Sequence, residues 1–158
     1  MTLDPRFTPY ITSAAIASHT RFYPYGPFAS ITLAQWADES DYGAVPSGRF
    51  NFFGIKATPA EISAGRSTLR WTKEYTSGHY IRIADHFADY TSIEDGFDAH
   101  ARLLISHHYL ACMRATSPAA YAEALHLCGY ATEPHYPSIL MSIITANNLT
   151  QFDKVPTT

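Results

Sequence analysis

Cysteine is scarce in this chain of 158 residues: Cys112 and Cys128 are the only two. They flank Pro118, in two helices expected to pack antiparallel, one near the turn and the other at the far end. A bridge needs Cα atoms within about 7 Å, so two thiols are expected and no disulfide. A basic surplus is also missing. Lys and Arg number 11 against 14 Asp and Glu, for a formal net charge of -3, and no basic stripe is present, which argues against a nucleic-acid partner. No apolar run approaches the ~18 residues that a membrane span needs, so no membrane insertion is expected. Residues 1–6 (MTLDPR) have neither a basic n-region nor an apolar h-region, so no secretory signal is expected. The eight His form no H-E-x-x-H, and C-x-x-C and G-x-S-x-G are absent. Neither a metal nor any other cofactor is expected, and a Ser or Cys nucleophile is weakly supported.

Aromatic residues, by contrast, make up 14% of the chain, with 11 Tyr. Tyrosine joins an apolar ring to a polar tip, which suits sugar or peptide grooves as well as a small core. The length suits a single domain over 1–158, with its core at about 8–152 and a disordered tail at 154–158.

Periodicity divides the chain into helix, hairpin and helix again. Thr8 as N-cap and Pro9 behind it open a first helix through residue 19. Pro27 opens a second that ends at Glu39, with Leu33, Trp36 and Ala37 on one apolar face and Gly43 just beyond. A loop follows at 43–48, then the aromatic run 51–56 (NFFGIK), then a polar stretch with a helical turn at 59–63. Residues 68–75 and 79–87 are rich in β-branched and aromatic side chains around a turn at 75–78, the pattern of a β-hairpin. Ser92 with Asp95 starts a helix through residue 107, Ser117-Pro118 another through 127, and Pro137 a last one ending at 147–148. Leu149 and Phe152 fold back on the core. A helical body with a hairpin flap makes a groove between two lobes.

The acids matter most for chemistry. Asp38, Glu39 and Asp41 crowd the C-terminal end of the second helix, where the macrodipole disfavours negative charge. A carboxyl set there beside apolar groups has its pKa raised, as a general acid requires. Glu74 lies in the first hairpin strand. One acid on each lobe of a cleft is what glycoside hydrolysis needs; surface acids and a cross-strand ion pair of Glu74 with Arg82 or Lys73 are the plain alternatives.

Five ordered stretches resemble the glucosaminidase domain of glycoside hydrolase family 73, the bacterial peptidoglycan hydrolases that include flagellar rod-associated and autolysin catalytic domains. They are 31–43 (ITLAQWADESDYG), 51–56 (NFFGIK), 72–78 (TKEYTSG), 87–97 (FADYTSIEDGF) and 129–136 (GYATEPHY). The resemblance runs over about 8–152. It implies an α+β, mainly α, lysozyme-like fold of two lobes, with a helical lobe and a small β-hairpin lobe. By the same resemblance Glu39 is the general acid, Glu74 the second acid on a mobile hairpin, and Tyr130 the functional tyrosine. Asn51 and Phe53 line the sugar-binding floor, with Trp71 and Tyr136 as further substrate-binding residues. Tyr42 stands where the family has Trp, Glu133 where it has Asp, Gly96 where it has a second Ser, and Asp38 where it often has Leu.

The implied activity is an endo-β-N-acetylglucosaminidase that cuts the GlcNAc-β-1,4-MurNAc bond of peptidoglycan glycan strands. A muramidase or lytic transglycosylase on the same fold is the enzymatic alternative. An inactive wall-binding or assembly module is the non-enzymatic one, and retention of Glu39 and Glu74 argues against it. The wall lies outside the cytoplasm, in the periplasm or beyond. Export by a specialised secretion system as an antibacterial effector, phage lysis, or separation from a longer parent chain would each bring the protein there. An effector would have a cognate immunity protein as a second partner.

Overall fold

A computed structural model describes residues 2–155, apart from the side chains of Glu74 and Tyr75. Residues 156–158 of the expected disordered tail lie outside that range. The chain forms α1 (Pro9–Phe22), α2 (Ala29–Ser40), α3 (Pro59–Ser63), β1 (Ser67–Thr76), β2 (His79–Ala88), α4 (Ile93–Leu104), a 3-10 turn (His107–Tyr109), α5 (Leu110–Met113), α6 (Pro118–Leu127), α7 (Tyr136–Ala146) and a closing 3-10 turn (Leu149–Phe152). The fold is mainly helical, with one antiparallel two-stranded sheet.

The body is built round α2. Every residue from Ala29 to Ala37 is buried, so the helix is enclosed on all sides, not on the one face that its spacing suggests. α1, α6 and α7 pack against it, and Leu149 of the closing turn is fully buried, folding back as expected. α4 lies across α1 and buries Phe97, Ala101 and Leu104.

Caps account for most helix starts. The side chains of Thr8, Thr58, Ser92 and Ser117 each accept a backbone N–H in the first turn of α1, α3, α4 and α6. The end of α2 differs from the expected glycine stop. Asp41 adopts a left-handed φ of 47° and returns its N–H to the Ala37 carbonyl, and Tyr42 follows at φ 54°. This turn folds the Tyr42 ring edge-on to Phe7 and Trp36, at 5.4 and 5.9 Å, with the Arg6 guanidinium 3.4 Å from its centroid.

α4 stops at Leu104, three residues short of its expected end. The chain tightens into the 3-10 turn and the single turn α5, which direct Tyr109 and Cys112 inward. That bend also corrects the expected separation of the cysteines. Cys112 lies against Cys128 at the end of α6; both are free, and burial with the neighbouring thiol pushes Cys112 up to about 12.

The hairpin pairs Ser67 with Ala88 through Thr76 with His79, around a Ser77-Gly78 turn with φ of 50° and 82°, matching the twist of the strands. Its foot is fastened to the body. Ala57 N–H donates to the His86 carbonyl at 2.8 Å, Ala88 N–H to Ile55 at 3.0 Å, and Lys56 pairs with Asp85 at 2.8 Å. Along its length Leu69, Trp71 and Tyr80 are exposed.

Gly96, the departure from the family pattern, has a local reason. A Cβ at this position would stand 2.1 Å from the Phe50 carbonyl oxygen, a backbone atom that cannot swing aside. Gly96→Ala is therefore expected to cost about 1–3 kcal/mol by overpacking, measurable as a lowered denaturant midpoint with unchanged slope.

Candidate active site

The hairpin and the helical body enclose a groove of about 940 Å³. Glu39, Phe53, Tyr109, Tyr130 and Glu133 line it from the body, and Thr72, Lys73 and Tyr80 from the hairpin. Glu39 stands in the last turn of α2, where the terminal carbonyls carry partial negative charge. It opens onto the groove, while protein surrounds the rest of its carboxyl. Burial raises its pKa to about 7; the charge of Asp38 adds to the rise and a hydrogen bond from Tyr136 opposes it. The Asp38 carboxyl is itself raised, chiefly by burial and then by the charge of Glu133. At neutral pH Glu39 is thus a carboxyl that can hold a proton and release it.

The groups behind Glu39 come from three helices. The Tyr136 hydroxyl donates to Glu39 Oε1 at 2.8 Å and accepts from Gln35 Nε2 at 2.9 Å. Gln35 Oε1 lies 3.0 Å from Nε2 of His100, a fully buried ring that stacks on Phe53 at 3.9 Å. Burial pushes His100 down to about 3, so it stays neutral. Tyr130 stacks over Tyr136 at 6.0 Å and donates its hydroxyl to the Phe53 carbonyl at 3.2 Å. Burial and then the charge of Glu39 hold the Tyr130 phenol well above its ordinary pKa, so it is a neutral donor and acceptor.

The residues expected at the site divide into several groups. Glu39, Tyr130 and Phe53 meet at the groove. Glu74 is paired with Ile81 in the hairpin, two residues beyond the groove-lining Thr72, and its side chain lies outside the described residues. Asn51 does not line the groove. It is fully buried, donates to the Ile55 and Ala88 carbonyls at 2.8 and 2.9 Å, and accepts from Ile55 N–H at 3.1 Å, so its polar atoms bind the hairpin foot. Tyr136 is also not a groove-lining residue. It is 2% exposed, and its hydroxyl is engaged by Glu39 and Gln35. Trp71 is 64% exposed on the hairpin, away from the lining, with the Arg82 guanidinium 4.9 Å from its ring.

Gln35, His100, Tyr109, Lys73, Tyr80 and Glu133 belong to the site or its support without having been singled out as site residues. Gln35 carries a signal in the sequence: it stands four residues before Glu39, on the same helix face. His100 is a polar residue inside the apolar stripe of α4. Among the described residues no group of three or more His, Cys, Asp or Glu is placed to hold a metal ion.

This geometry has relatives. A family model described as mannosyl-glycoprotein endo-beta-N-acetylglucosaminidase matches residues 22–149. A probable N-acetylmuramidase of Lactococcus lactis subsp. lactis (strain IL1403) is 30% identical over 154 residues, covering 91% of this chain and 34% of the relative. An autolysin of Enterococcus faecalis (strain ATCC 700802 / V583) is 33% identical over 137 residues, covering 80% of this chain and 18% of the relative. The chain thus spans about a third or less of these relatives (34% and 18%). The crystal structure of a peptidoglycan hydrolase mutant from Sphingomonas sp. A1 matches with a TM-score of 0.74 and 29% identity, over 94% of this chain and 95% of that one. With the family model spanning residues 22–149 and the same two-lobed fold, the chain belongs to the glucosaminidase family.

Proposed function

We propose that this chain is a glycoside hydrolase that cuts the glycan strand of bacterial peptidoglycan, with Glu39 as its general acid. The observation that carries this is the Glu39 carboxyl, open to a groove of about 940 Å³ and poised at about 7. Residues 8–152 act as one catalytic domain. The site of action is the cell wall, periplasmic or extracellular. If the protein is delivered as an antibacterial effector, an immunity protein encoded beside it would be its second partner.

In the reaction, Glu39 transfers its proton to the glycosidic oxygen as the bond from C1 to that oxygen breaks. Positive charge then develops at C1. Two routes satisfy it. Glu74 acts as base or electrostatic stabiliser when the hairpin closes. Alternatively the carbonyl oxygen of the sugar's own 2-acetamido group attacks C1, and water opens the resulting ring with the Glu39 carboxylate as base. Tyr130 suits an acetamido N–H, because its hydroxyl hydrogen is engaged by Phe53 and its lone pairs are left to accept. Phe53 and Tyr80 offer aromatic surface in the groove, and Lys73 offers a cation for carboxylates of the peptide stem.

The bond cut is the GlcNAc-β-1,4-MurNAc linkage, in line with the description of the family model. The muramidase reading has one supporting observation, the N-acetylmuramidase name of a 30% identical relative. Mass spectrometry of digested peptidoglycan separates them. Reducing-end GlcNAc is expected; reducing-end MurNAc would establish the muramidase reading, and an anhydro sugar a transglycosylase.

Glu39→Gln should lower clearing of a peptidoglycan suspension by roughly 10²–10⁴-fold, and full activity in that variant would sink the assignment. Activity should fall as pH rises through about 7, the value at which Glu39 loses its proton. Stability should follow the same group. The folded carboxyl titrates near 7 and the unfolded one near 4.5, so between these values the native state holds a proton that the unfolded state has lost. Its contribution to stability therefore declines from about pH 4.5 to 7 and is level beyond. Glu39→Gln should raise the melting temperature at pH 8 and change it little at pH 4, as read by thermal unfolding at both values.

A further inference from the structure

Behind Glu39 runs a chain of three buried groups, one each from α2, α4 and α7. His100 Nε2 meets Gln35 Oε1 at 3.0 Å, Gln35 Nε2 meets the Tyr136 hydroxyl at 2.9 Å, and that hydroxyl meets Glu39 Oε1 at 2.8 Å. The chain has two self-consistent senses. In the first, His100 donates to Gln35, Gln35 to Tyr136, and Tyr136 to Glu39. In the second every donor is reversed: Glu39 gives its own proton to Tyr136, Tyr136 donates to the amide oxygen, and the amide donates to His100.

His100 decides between them. Its Nδ1 is buried and has no hydrogen-bond partner. The first sense leaves a bare lone pair there. The second puts a hydrogen on Nδ1 and leaves a buried N–H donor without an acceptor, the rarer and costlier defect. The ring stays neutral because burial pushes it down to about 3, so its tautomer does not change over the working range. Only the first sense accommodates both the ionised and the protonated Glu39.

We propose that Gln35 and His100 are positioning residues of the reaction: they hold the Tyr136 hydroxyl as a donor to Glu39 Oε1, and so leave Oε2 as the oxygen that carries the acid proton toward the groove. The proposal rests on the assignment of Glu39 as the acid. A carboxylic acid whose proton pointed at Tyr136 would be turned away from the substrate; the network forbids that arrangement. Other titratable groups stand around Glu39 among the described residues: Asp38 on α2, whose charge raises the Glu39 pKa, Tyr130 and Glu133 on the loop before α7, and Lys56 and Lys73 along the groove. None of them contacts the Gln35 amide in the described hydrogen bonds, so substitution there tests the network separately.

Two measurements decide it. Nitrogen-15 correlation spectra of the wild-type protein, from about pH 5 to 9, should show His100 neutral with hydrogen on Nε2 throughout; hydrogen on Nδ1 would overturn the proposal. In Gln35→Met, which keeps volume but loses both amide contacts, kcat should fall about tenfold with KM within about twofold. The alkaline limb of kcat/KM should also move upward, because Glu39 loses a fixed donor that favours its ionised form. Wild-type kcat and an unmoved limb in a folded variant would overturn the proposal. A merely structural role for Gln35 would lower the melting temperature and leave the limb in place. If Gln35→Met does not fold, the tautomer measurement alone decides. Failure of the acid assignment has a different signature, an active Glu39→Gln.

Discussion

A carboxylate at each end of one buried helix is the constraint on which the rest of this structure turns. At the start of α2, burial raises the Asp153 pKa, and hydrogen bonds from Ser30 N–H at 2.7 Å and Ser30 Oγ at 2.8 Å, at the positive end of the helix dipole, oppose the rise. At the other end, Glu39 meets terminal carbonyls and the charge of Asp38, and burial strips away water. The first arrangement anchors the returning C-terminal segment to the core. The second holds a carboxyl where its ionised form is disfavoured. Strongly shifted groups of this kind, set in a cleft with named perturbing partners, are what functional sites require.

The two walls of the groove are built differently. The acid wall belongs to the helical core, tied through Gln35, His100 and Tyr136 across α2, α4 and α7. Packing on all sides of α2 fixes the orientation of these side chains. Near its foot the hairpin wall is fastened by Asn51, the Lys56–Asp85 pair and a few backbone bonds, and the described residues of its far end are exposed. Sparse burial and solvent-facing strands are the conditions under which one element moves relative to a rigid body. An acid held within the core and a hairpin with few buried residues suit a reaction in which the substrate must first be enclosed.

Much of the fold was legible one element at a time. Thr8-Pro9, Ser92 and Ser117-Pro118 state helix starts because the capping chemistry lies within three residues of the cap. The hairpin is equally local, since alternating β-branched and aromatic residues flank a Ser77-Gly78 turn with positive φ at both positions. What depends on distant partners was less legible. α4 ends early because Tyr109 and Cys112 turn into a core supplied by other helices, and the same bend brings Cys112 to Cys128. Gly96 is unremarkable in its own helix, and only the approach of the Phe50 carbonyl accounts for it.

The candidate site divides along the same line. Sequence alone determined that Glu39 stands at the unfavourable end of an apolar helix, a conflict contained within a dozen consecutive residues (α2 has 12) and so visible without a fold. It also determined, by resemblance, that Tyr130 and Phe53 belong near that acid. Only the tertiary structure decided what each polar group does there. Asn51 and Tyr136 look like sugar ligands in a list of residues, yet both are buried and bonded to protein, one fastening the hairpin and the other holding Glu39. Gln35 and His100 are 65 positions apart, and nothing local marks them as partners. The physical reason is general: burial and hydrogen-bond satisfaction are properties of the packed chain, and they decide whether a polar side chain is left free for a substrate or is already engaged within the protein.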